Sequence, residues 1–116
     1  MSNVTASDLD IARALADAGA ADLSPGRRIS ESADDISAGE RRRIAIARAL
    51  LRVRTGGARL VLLDEPTAGL DATRETTILT SLRALEVTVV VVAHRPETIA
   101  AADRVVRVDT RDLVPA

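Results

Sequence analysis

Two adjacent carboxylates, Asp64 and Glu65, follow directly on the apolar run Leu60-Val61-Leu62-Leu63 and lead into a turn that contains Pro66 and Gly69. A short apolar run ending in turn residues reads as a strand buried on both faces of a parallel sheet. Such sheets carry their chemistry beyond the carboxyl ends of the strands, where both acids emerge. In phosphoryl-transfer sites an acidic group in that place holds magnesium, and another group orients the attacking water. Taken alone, the pair leaves open a solvated acidic turn after an ordinary core strand as the lesser reading. Its neighbours favour chemistry. Upstream lies Ile36-Ser37-Ala38-Gly39-Glu40 followed by Arg41-Arg42-Arg43, and downstream the run Val87 to Ala93 ends on His94, the only histidine.

The elements that must position these residues follow from spacing and turn signals. Leu9, Ala12, Leu15 and Ala16 recur at helical spacing, with Ser7 or Asp8 as a cap and Gly19 as a stop. Ser24-Pro25-Gly26 predicts a turn and Arg27 to Asp35 a polar connection. Ser37 to Glu40 fits a capping box, opening a helix to Arg52 with Ile44, Ala47 and Leu51 on one face. Thr55-Gly56-Gly57 ends it, and the Leu60–Leu63 strand follows. Asp71 caps a further helix to about Leu85, with Ile78, Leu82 and Leu85 inward. The β-branched run Val87–Val92 predicts a second buried strand, Pro96 the start of a short helix, and Arg104–Val108 a third strand. Strands alternating with helices imply parallel, right-handed crossovers in an α/β fold.

ISAGERRRIAIARALLR, VLLDEPTAGLDA and TVVVVAHRPETIAAADRVV, in that order, resemble the second half of an ATP-binding-cassette (ABC) ATPase: signature motif, Walker B, D-loop and switch histidine. The wording is most similar to exporter subunits of the thiol-reductant type from cytochrome bd assembly. The resemblance implies a partial P-loop NTPase core of parallel strands with flanking helices, lacking the P-loop half. Residues 1–36 would be the tail of the helical subdomain and 37–116 the C-terminal half of the ATPase core.

The start of the signature helix offers unpaired N–H groups and a positive dipole end to an anion, and Gly39 lets a phosphate approach the backbone. By resemblance Ser37, Ala38, Gly39 and Glu40 would touch the γ-phosphate of ATP on a partner's P-loop. The family pattern Leu-Ser-Gly-Gly-Gln is altered here by Ile36, Ala38 and Glu40, the last adding negative charge near a phosphate. Asp64 would hold Mg²⁺, mostly through water, and Glu65 would be the general base or water-orienting carboxylate. Ala68 to Asp71 would be the D-loop, with Asp71 near the nucleotide, and His94 would sense the γ-phosphate.

Composition excludes other classes. Sixteen basic and 17 acidic residues give a net charge of −1, which argues against a nucleic-acid partner and for Arg41 and Arg48 as a solvated helix face. No cysteine is present, so disulfides are excluded. No segment has the length of a membrane span, and Met1–Asp10 does not read as a signal peptide. All the basic residues are arginine, so the lysine of a P-loop is absent, and so is the glutamine of a Q-loop. By the same resemblance, ATP hydrolysis would require a P-loop-bearing protomer or N-terminal half, with an exporter's transmembrane domain, in the cytoplasm at the inner face of the plasma membrane. Two alternatives are a truncated or non-catalytic companion that donates its signature, and half of a non-transport ATPase of the chromosome-maintenance type. The lack of heptads before Ile36 disfavours the latter.

Overall fold

A computed structural model describes residues 7–22 and 37–109 of the chain. The predicted turn at Ser24–Gly26, the connection 27–35 and Ile36 lie outside the described residues. Helix α1 (Asp8–Asp17) opens on a capping box in which the Ser7 hydroxyl accepts from the Asp10 N–H while the Asp10 carboxylate accepts from the Ser7 N–H. Gly19, at φ +71°, lets the chain turn out of it.

Helix α2 (Ala38–Gly56) starts on Ser37, whose hydroxyl accepts from the Glu40 N–H at 3.0 Å, and stops at Gly57 in the left-handed region. Strand β1 (Leu60–Asp64), helix α3 (Ala72–Arg83), strand β2 (Thr88–Val92) and helix α4 (Pro96–Ala101) complete the order. Asp71 caps α3 through a 2.8 Å bond from the Arg74 N–H, and Pro96 sits in the first turn of α4.

Helices α1, α2 and α3 close one aliphatic core around Ala14, Leu15, Ala18, Ala20, Ile46, Ala47, Leu50, Ile78 and Leu82, with Leu63 and Val89 of the sheet packed against it. The buried residues of α2 are Arg43, Ile46, Ala47 and Leu50, and Ile44 and Leu51 of the expected stripe are half-buried against the same core. Arg43 is buried because it has partners there: its guanidinium donates to the Gly19 carbonyl at 3.0 Å and to Asp22 at 3.3 Å. Arg41 and Arg48 are exposed, as expected.

The two strands pair in parallel, Leu60 opposite Thr88 through Asp64 opposite Val92. The expectation that both are buried on two faces is corrected. Val61 is buried and Leu63, Val89 and Val91 are half-buried on the helix side. Leu60, Leu62, Val90 and Val92 face outward, Leu62 at 69% exposure. The described helices cover only one face. The expected third strand is also corrected: 104–109 is irregular and exposed, because no described strand edge takes up its backbone groups. Among the described residues no helix is long and apolar enough to cross a membrane.

Candidate functional site at the carboxyl ends of the two strands

The parallel register carries the two acids and the histidine to one sheet edge. Asp64 pairs with Val92, and the Glu65 N–H extends the ladder to the Val92 carbonyl at 2.8 Å, so His94 emerges two residues beyond that bond. Period-two alternation sends Asp64 to the open face and Glu65 toward the helices. Asp64 is exposed, whereas the Glu65 side chain retains 23% exposure.

Glu65 departs from the strand. Its φ of +49° is the only positive value at a non-glycine among the described residues. Such a residue stores about 1–3 kcal/mol and persists only where its surroundings over-determine it. They do so here through the bond to Val92, the turn bond from the Ala68 N–H to the Glu65 carbonyl, and burial of Pro66 and Thr67.

The twist aims the carboxylate at the histidine. Glu65 Oε1 is buried with no hydrogen-bond partner among the described residues, and lies 3.4 Å from His94 Nε2, beyond the usual N–H···O range of about 2.7–3.2 Å. The imidazole itself is 88% exposed. The buried oxygen is thus left without a hydrogen bond beside an exposed imidazole, an unsatisfied acceptor at the sheet edge.

Around this pair the structure places residues that sequence patterns did not single out. Thr67 and Thr98, both buried, join their hydroxyls at 3.0 Å and tie the acidic turn to α4. Arg95 Nε donates to Glu75 Oε2 at 2.6 Å and ties the segment after His94 to α3. That bond holds the Glu75 carboxyl below the usual carboxylate range, against the opposing effect of burial, with Arg95's charge and Thr67 assisting. These pairs span 20 and 31 positions, so no local periodicity betrays them.

Ser37 caps α2, Ala38 and Gly39 begin it, and Glu40 lies in its first turn. Arg42, one turn on, donates to the Ala68 carbonyl at 3.1 Å and links α2 to the acidic turn. A Cβ on Gly39 would meet only the Ser37 hydroxyl, at 3.9 Å, so no packing within the described chain demands glycine there. Asp71 caps α3 and faces Arg74 at 3.6 Å.

The residues fit magnesium in one particular way. No group of three or more His, Cys, Asp or Glu among the described residues could hold a metal alone. Magnesium keeps several waters and takes one or two carboxylates with substrate phosphates, a demand that the exposed Asp64 carboxylate can meet as a single ligand.

A parallel α/β layer with acids and a histidine gathered at the carboxyl ends of adjacent strands defines a partial P-loop NTPase core. The chain belongs to the ABC transporter family, whose model matches residues 2–68. It is 44% identical over 88 residues, 74% of this chain, to the ATP-dependent lipid A-core flippase of Haemophilus ducreyi. Over 88 residues, again 74% of the chain, it is 43% identical to the glutathione/L-cysteine transport system ATP-binding/permease protein CydC of Escherichia coli. A glutathione/L-cysteine transport protein is thus among the relatives, beside a lipid A-core flippase of similar identity. A bacterial Atm1-family ABC exporter solved with ATP bound superposes with a TM-score of 0.67 at 35% identity over 84% of this chain. The chain spans 14% and 15% of the two relatives' lengths and 18% of the solved exporter's.

Proposed function

We propose that this chain supplies the signature, acidic-turn and histidine portion of an ATP-hydrolysing exporter domain, and that hydrolysis proceeds only when another segment or protomer brings a lysine-bearing P-loop. The observation that carries this reading is Glu65: a carboxylate in a left-handed backbone conformation, its buried oxygen unpaired and turned to His94. In the proposed reaction Glu65 accepts a proton from the water that attacks the γ-phosphate, and His94 donates a hydrogen bond to a γ-phosphate oxygen. Asp64 would hold magnesium, which when bound neutralises charge on the phosphate oxygens. Ser37, Ala38 and Gly39 present the amides of a helix start to a phosphate held by the partner, with Glu40 at its rim. Asp71 sets the turn that faces that partner. The proposed setting is cytoplasmic, beneath an exporter's transmembrane domain at the inner face of the plasma membrane, with residues 1–36 in a helical subdomain and 37–116 in the ATPase core.

A second reading is a non-catalytic companion that donates only its signature. Calorimetric titration of the purified chain with Mg-ATP tests the need for a P-loop. Without the lysine and its loop, binding no tighter than about 1 mM, or −4.1 kcal/mol, is expected. Micromolar binding by the chain alone would overturn the proposal. Glu65→Gln then separates the two readings once a P-loop partner is added: hydrolysis falls if Glu65 is the base and is unchanged if only the signature is used.

A further inference from the structure

His94 has little that holds it directly. Its ring is exposed, and its contact with Glu65 is too long for a well-formed hydrogen bond. What is fixed lies on either side of it. Arg95, the next residue, is bonded to Glu75 on α3, whose side chain is 7% exposed. Thr98, four residues on, is bonded through its hydroxyl to Thr67, two residues after Glu65.

Both bonds anchor the segment that follows His94: Arg95 ties it to α3 through Glu75, and Thr98 ties it to the acidic turn through Thr67. Helix α3 carries Glu75 one turn after Asp71, so the same helix that receives the end of the acidic turn grips the segment after the histidine.

A part-buried ion pair of this kind is a weak source of net stability compared with apolar side chains of similar volume. Its presence next to an exposed imidazole is better explained by geometry. We propose that Thr67, Glu75, Arg95 and Thr98 are positioning residues, a polar clamp joining α3, the acidic turn and α4 that holds His94 against Glu65. The clamp deepens the reading of Glu65 and His94 as a working pair, and it fixes the pair before nucleotide arrives.

The chain has no Phe, Tyr or Trp and one His, so in D₂O the ring C–H protons of His94 are its only aromatic carbon-bound protons. A nuclear Overhauser cross-peak between that ring and the Glu65 γ-methylene is expected in the full chain. It is expected to disappear in Arg95→Met and in Glu75→Gln while amide signals away from the site stay in place. Should Arg95→Met fail to fold, Glu75→Gln and Thr98→Val decide the question. A cross-peak absent from the parent chain, or retained in every folded variant, overturns the clamp. The experiment uses no nucleotide, so its failure is distinguishable from failure of the ATPase reading, which the titration and the hydrolysis assay test.

Discussion

Replacing Thr67 by valine tests the centre of the clamp with little change of shape. Thr67 is 1% exposed and Thr98 is 6% exposed, so the hydroxyl pair is cut off from water. Thr67→Val leaves the Thr98 hydroxyl buried and without its partner, which costs about 1–3 kcal/mol. Against a total of about 5–15 kcal/mol for an ordinary domain that is a large share. At about 4–8 °C per kcal/mol for a small domain, the melting midpoint falls visibly. Thr98→Val is expected to cost a similar amount for the same reason. The double variant is expected to recover much of the loss, because no donor or acceptor of the pair is then stranded and Glu75 keeps Arg95 at 2.6 Å. Unfolding is followed by far-ultraviolet circular dichroism, since the chain has no tryptophan or tyrosine to fluoresce. Single variants within about 0.3 kcal/mol of the parent, or a double variant whose cost is the plain sum of the singles, would refute the reasoning, since additivity to that level marks independent sites.

The Glu75–Arg95 pair makes a pH prediction. Because the folded chain holds the Glu75 carboxyl below its unfolded value, the pair's contribution is fully present above the ordinary glutamate pKa of about 4.3, and is lost as pH falls through the depressed value. Urea midpoints measured from pH 6 downward should therefore fall less steeply in Glu75→Gln than in the parent; parallel curves would contradict the assignment. On the bare sheet face, Leu62→Lys is expected to leave stability within about 0.5 kcal/mol while reducing self-association in sedimentation, because the side chain is 69% exposed on an apolar surface. Unchanged association would show that this face does not drive it.

The chemistry-bearing residues were legible in sequence because each lies where a local signal changes. Asp64 and Glu65 follow an apolar run, His94 ends a β-branched run, and Ser37 and Asp71 sit where caps are required. All became ends of elements, within a residue or two of expectation. What local signals missed depends on partners far along the chain. Arg43 reads as surface in any hydropathy pattern, yet it turns inward because the Gly19 carbonyl and Asp22 receive it. The residues 104–108 have the composition of a strand, but a strand exists only beside another edge. Likewise the burial of Leu62 depends on a second layer that the described helices do not supply.

Glu65 joins the two kinds of information. Its place after the apolar run is local, but its left-handed backbone is not a preference of glutamate, which has a Cβ to disfavour it. The strain is held by a ladder bond to β2 and by a buried turn whose threonine reaches α4. The same long-range contacts that sequence patterns could not show are therefore those that turn the carboxylate from the strand toward the histidine. Relaxing them would let Glu65 return to an extended conformation, in which alternation along the strand would send its side chain toward the helices instead of to His94.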